Sequence, residues 1–148
     1  MNMTLQIIPT PKTCEFTQGD GIQITKIATD FQVCGPLKAA LELCRQELDF
    51  SITQEDADLR ITTDFFVLTA QEQAIFENRY ADTQGYVLKK EENGPVWIVA
   101  KNAQGAAYGL MTLLQILKQP LRTFSICDWP DFAYRGNKWL IFTETEIW

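Results

Sequence analysis

Gly85-Tyr86-Val87-Leu88-Lys89-Lys90 and Val96-Trp97-Ile98-Val99-Ala100 are two β-rich runs joined through Glu91-Glu92-Asn93-Gly94-Pro95. Asn-Gly between such runs is hairpin chemistry, because both residues accept the positive φ angles of a tight reversal. The second run is apolar at every position, which predicts a central strand covered on both faces. Asn102 then stands where an N-cap is needed. After it, Ala107, Leu110, Met111, Leu114 and Leu117 make the wide apolar face of a helix that stops at Lys118-Gln119-Pro120. A hairpin followed by an amphipathic helix points to a sheet with helices laid on it, an α+β domain.

Upstream, the same reading adds strands and one more helix. Leu5-Gln6-Ile7-Ile8 reads as an edge or entry strand ended by Pro9-Thr10-Pro11, two of which cannot donate to a ladder. Gly19-Asp20-Gly21 is a turn, and Ile22 to Ile27 alternates apolar and polar as a strand with one buried face. Gly35-Pro36 opens a helix whose stripe is Leu37, Ala40, Leu41, Cys44 and Leu48, with Lys38, Glu42, Arg45 and Gln46 opposite. Asp58 to Thr63 alternates again as a strand, whereas Phe65 to Tyr80 mixes an apolar patch with a charged stretch and receives no assignment. No internal repeat, low-complexity tract or Gly/Ser linker marks a second complete domain.

Composition removes whole classes of function. Among 148 residues, 13 Lys and Arg face 19 Asp and Glu, and a net charge of −6 argues against nucleic acid or anionic lipid as partner. There is no histidine, which excludes His-based triads and HExxH zinc sites and leaves carboxylate chemistry or none. The four cysteines, Cys14, Cys34, Cys44 and Cys127, form no CxxC pair, so they read as reduced, at least partly buried thiols, with no metal and no cofactor expected. No run approaches the ~18 apolar residues of a membrane span, and Met1–Pro11 lacks the pattern of a signal peptide. The protein is expected in the cytoplasm if Met1 is the native start, and exported otherwise. The Asn2-Met3-Thr4 sequon is a chance-level match.

Three polar or small-residue features read as structural. Gly105-Ala106-Ala107-Tyr108-Gly109 has GxxxG spacing but no phosphate-loop ending, so it reads as a close helix-to-sheet approach. Glu55, Asp56 and Asp58 lack the frame of a calcium loop and read as a solvated loop. Asp128 and Asp131, flanking Trp129-Pro130, read as caps of backbone N–H groups. The C-terminal segment differs. Trp139-Leu140-Ile141-Phe142 is strand-like, Thr143-Glu144-Thr145-Glu146 follows, and the sequence stops at Ile147-Trp148 without turn or cap, as if cut. Extended, Glu144 and Glu146 share a face with Cα atoms about 6.5–7 Å apart. Such a pair suits glycosidic cleavage, which needs an acid and a base or nucleophile. Glu alternating with Thr is also an ordinary solvent-facing pattern, and that reading ranks first, so the two glutamates stand only as catalytic candidates.

From Gly85 to Gly136 the order of motifs resembles the N-terminal non-catalytic domain of family 20 β-N-acetylhexosaminidases and of the related family 84 and family 67 glycoside hydrolases. The resemblance is carried by the strand pair, by Gly105-Ala106-Ala107-Tyr108-Gly109-Leu110-Met111-Thr112-Leu113-Leu114-Gln115, and by Ile126-Cys127-Asp128-Trp129-Pro130-Asp131-Phe132-Ala133-Tyr134-Arg135-Gly136. Ile7 to Pro11 is similar to the family's opening segment. The resemblance implies two helices on a sheet over residues 1–125, then a connector and the first strand of a (β/α)8 barrel, here truncated, over 126–148. It also implies a non-catalytic accessory role beside that barrel on the same polypeptide, with a terminal N-acetylhexosamine glycan as the parent's substrate. No catalytic residue carries over from the family, because Asn137 to Glu144 departs from its first barrel strand and Arg135 belongs to the connector. A free-standing carbohydrate-binding or protein-interaction domain is the alternative, with sugars stacking on Trp129, Phe132, Tyr134 and Trp139; Trp129 and Trp139 are the substrate-binding candidates.

Overall fold

The structure is a computed structural model that describes residues 13–74, 76 and 85–128. Seven strands appear in chain order as β1 (Thr13–Gln18), β2 (Lys26–Thr29), β3 (Ser51–Ile52), β4 (Leu59–Thr62), β5 (Tyr86–Lys90), β6 (Val96–Val99) and β7 (Leu121–Asp128). Three helices, α1 (Gly35–Arg45), α2 (Ala70–Ala74) and α3 (Ala103–Ile116), and a 3-10 turn at Phe65–Val67 complete the described fold. The strands make one mixed sheet in the order β1-β7-β5-β6-β4-β2-β3. β1, β7, β5 and β6 pair antiparallel, and β6, β4, β2 and β3 pair parallel.

The hairpin and its helix form as the local chemistry dictates. Gly94 turns the β5–β6 loop at φ +106, a conformation open to glycine at little cost. β6 is the middle strand of the seven, with Val96, Ile98 and Val99 fully buried and only Trp97 part-exposed. The Asn102 carboxamide oxygen accepts from the N–H groups of Gln104 and Gly105, capping α3. In α1, Pro36 occupies the first turn, and Leu37, Ala40, Leu41 and Cys44 are buried. Both long helices lie on the same side of the sheet, where Ile27, Leu59, Ile61, Leu88, Ile98 and Ile126 meet Leu37, Leu110 and Leu113 in the main core.

α3 sits unusually close to the strands. A Cβ on Gly105 would lie 2.3 Å from the Gly85 carbonyl oxygen, and one on Gly109 would lie 2.8 Å from Ile98 Cγ2. The GxxxG spacing is therefore a packing device, as expected. Beside it the Tyr86 and Thr112 hydroxyls share a buried hydrogen bond of 2.5 Å.

Several expectations need correction. The Ile22–Ile27 strand is displaced to Lys26–Thr29, because one Asp58 oxygen takes the N–H groups of both Thr25 and Lys26 at 2.9 and 3.1 Å before the ladder begins. Asp58 is thus a tie between two segments rather than part of a solvated loop, while Glu55 and Asp56 are exposed. Thr13–Gln18 and Leu121–Asp128 are strands that the periodicity did not indicate, and the open segment from Phe65 contains the 3-10 turn and α2. Cys14 and Cys34 are exposed, whereas Cys44 and Cys127 are buried. The strand expected at Leu5–Ile8 and the segment from Trp129 onward, including the expected barrel strand, lie outside the described residues.

Candidate functional site

The two faces of the sheet carry different chemistry. On the face away from α1 and α3, cross-strand neighbours form two rows: Cys127, Val87, Val99 and Thr62, and then Ser125, Lys89, Trp97 and Arg60. The first row is apolar where the segment 65–76 covers it, with Leu68 and Phe76 packing on Val87, Val99 and Cys127. Phe65 stacks on Phe76 at 4.8 Å between centroids, so this small second core is closed by aromatic contact.

The second row brings a lysine under that cover. Lys89 is only 4% exposed, and its ammonium donates to Glu72 Oε1 at 2.8 Å and to the Val67 carbonyl at 2.9 Å. Glu72 also accepts from the Thr69 N–H at 2.9 Å, and Ser125 donates to its second oxygen at 2.7 Å. Thr69 Oγ1 in turn accepts from the Glu72 N–H, which completes a capping box at the start of α2. Burial by itself raises the Glu72 carboxyl, but hydrogen bonds from Lys89, Thr69 and Ser125 outweigh it and hold the group below its ordinary value. With both oxygens occupied, this network anchors a covering segment and does not resemble a poised acid or base.

The helix side presents something else. α3 carries no charged residue from Ala103 to Ile116. Its outer stripe, Gln104, Tyr108, Met111 and Gln115, is half-buried throughout, and Leu43 of the neighbouring α1 is 47% exposed. A surface helix without a single charge is unusual for a face meant to stay in water. A shallow depression among the described residues, lined by Arg45 to Asp49, is open to solvent, and Arg45 there is already engaged with the Phe50 carbonyl and ring. Among the described residues no group of three or more Cys, Asp or Glu side chains could hold a metal ion, and no helix is long and apolar enough to cross a membrane.

All four residues singled out from sequence as site candidates, Glu144, Glu146, Trp129 and Trp139, lie outside the described residues. Phe132 and Tyr134 do as well. What the sequence reading missed is the Lys89–Glu72 pair. Its signal was present as Thr69-Ala70-Gln71-Glu72, the spacing of a capping box, within the segment left unassigned.

Residues 4–129 match the family described as glycosyl hydrolase family 20, domain 2. The chain belongs to that family. Its members are the N-terminal, non-catalytic domains of family 20 hexosaminidases, so the α+β expectation and the accessory assignment both stand. Over 65 residues the family 20 domain is 37% identical to a beta-hexosaminidase of Porphyromonas gingivalis, a match covering 36% of this chain and 8% of that protein. In fold it is similar to the chitobiase of Flavobacterium johnsoniae, with a TM-score of 0.59 and 21% identity over 91% of this chain and 23% of the other. It is similar also to CpGH84D, with a TM-score of 0.60 and 15% identity over 91% of this chain and 25% of the other. The domain thus spans about a quarter of the solved proteins it matches, and much less of the curated relative.

Proposed function

We propose that this domain buttresses the catalytic barrel of a β-N-acetylhexosaminidase, to which it is joined on the same polypeptide through the residues that follow β7, 129–148, since Ile126 to Asp128 belong to the sheet. The observation that carries this reading is the uncharged outer stripe of α3 with Leu43 beside it. A helical face without charges, with Met111 half-buried and Leu43 exposed beside it, holds water less strongly than a charged face, so a neighbouring domain can cover it at little desolvation cost. The name of the Porphyromonas relative, beta-hexosaminidase, supports a terminal N-acetylhexosamine as the parent's substrate. Its described residues act by holding the barrel in its folded shape, through packing rather than through a reacting group.

The test is to express the complete polypeptide carrying this domain and assay it on nitrophenyl glycosides, N-acetylglucosaminide and glucuronide included. Activity on the N-acetylglucosaminide is expected, and activity confined to other glycosides overturns the substrate. Replacing Met111→Lys on the α3 face should shorten the enzyme's thermal half-life several-fold with KM little changed. An unchanged half-life overturns the buttressing role.

A further inference from the structure

The covered half of the second sheet face ends at an exposed aromatic corner. The Asp64 carboxylate accepts from the Phe66 N–H and fixes the 3-10 turn, so that Phe65 turns inward onto Phe76 while Phe66 is left 68% exposed. The Phe66 ring stands at 88° to the Trp97 indole, 5.4 Å between centroids, and the two rings form a right-angled wall and floor. Directly beside Trp97 in the β4–β6 register is Arg60, half-buried, whose guanidinium has no hydrogen-bond or ion-pair partner among the described residues. Lys26, exposed, projects from the same face of the next strand.

We propose that Phe66, Trp97 and Arg60 form a surface subsite for an acidic sugar residue of an oligosaccharide. The apolar C–H face of a pyranose packs on an aromatic ring while its hydroxyls stay in water, and a second ring at a right angle limits how the sugar can rotate. An unpaired guanidinium offers a planar fork that matches a carboxylate, and a half-buried one is less screened than a fully exposed one. The net charge of −6 disfavours acidic ligands over the surface at large, so the preference for an acid at this corner is carried by the local cations Arg60 and Lys26. The barrel is assigned to the opposite side of the domain, on α3. The proposal rests on the reading of the parent as a glycan-processing enzyme, yet it concerns direct binding. Its failure leaves the hexosaminidase assay untouched, and failure of that assay leaves the binding measurement intact.

The experiment is an NMR titration of the 148-residue chain with a hyaluronan tetrasaccharide, in which uronate alternates with N-acetylglucosamine, and in parallel with neutral chitotetraose. Saturable shifts are expected at the Trp97 indole N–H and at the amides of β4 and β6 with the acidic ligand. Phe66→Ala and Arg60→Gln should each weaken binding about tenfold or more, a difference of about 1.4 kcal/mol. Arg60→Gln should also abolish the preference over chitotetraose. Both variants are surface changes, and their amide spectra report that the fold is kept. Four results would overturn the proposal: no shifts up to about 10 mM ligand, shifts centred elsewhere, equal binding of the neutral sugar, or shifts that track protein concentration and so report self-association.

Discussion

Lys89 and Glu72 show how a charged pair can be placed inside a domain this small. Their side chains are 5% and 11% exposed, and each finds further hydrogen bonds, so the loss of hydration is offset by partners rather than by Coulomb attraction alone. Removing one member should therefore hurt more than replacing both. Lys89→Met is expected to cost about 3 kcal/mol in urea unfolding. The double change Lys89→Met with Glu72→Leu should recover part of that loss; a double variant as weak as the sum of the single ones would mean that the two groups act independently. The pH dependence follows from the same geometry. Glu72 and Asp58 both titrate below their ordinary values in the folded chain. Groups lowered in this way stabilise the fold fully above their unfolded pKa values, near 4, and that contribution fades as pH falls through the folded ones. Acid unfolding should accordingly steepen below about pH 4, and Glu72→Gln should flatten that part of the curve. The buried Cys44 thiol, pushed up to about 11 by burial and by the nearby Glu47, should resist thiol reagents until the chain unfolds.

At the scale of elements, the close contact between α3 and the hairpin is the feature with the largest single-atom consequence. In an exposed helix Gly→Ala stabilises by about 1 kcal/mol. At Gly105 the added methyl would meet a backbone carbonyl that cannot rotate away, so Gly105→Ala should instead destabilise by roughly 1–3 kcal/mol. A shift of the urea midpoint in the opposite direction would show that the helix can slide. The hairpin, α1 and α3 were legible because each combines a periodic apolar pattern with its own cap or turn residue. β1 and β7 were not, and the reason is geometric. Their pairing slips between Thr17 and Gln18, which leaves Leu121 and Phe124, three residues apart, both buried and breaks the period of two. Ile24 and Ile27 are likewise both buried at a spacing of three, since the Asp58 tie shifts the chain before β2 starts. Of the surfaces with functional readings, the α3 face lies in an uncharged run of the sequence, although periodicity points its apolar residues, Met111 included, toward the sheet. The Phe66–Trp97–Arg60 corner was not, because it joins a turn to two strands that only the sheet register brings together.

For the whole molecule, the sheet is two halves with unequal protection. The antiparallel half, β5, β6 and β7, is covered by α3 on one side and by the 65–76 segment on the other. Among the described residues the parallel half is covered by the main core on one side, and it ends in β3, two residues long and exposed at both. Local opening follows lost burial, since an amide exchanges at the lowest-energy opening that frees it. Hydrogen exchange should therefore be slowest at Val87, Leu88, Ile98 and Val99, where only global unfolding exposes the N–H groups, and faster by orders of magnitude at Lys26, Ile27 and Ile52. The α1 turn at Arg45, held to the Phe50 carbonyl at 3.1 Å, should open together with β3 because that bond and the β2–β3 ladder share the same short connection. Equal protection across all seven strands would mean that the sheet unfolds as a single unit. Faster exchange in the parallel half would instead place the hairpin, its helix and the buried Lys89–Glu72 pair together as the unit on which the rest of the domain is assembled.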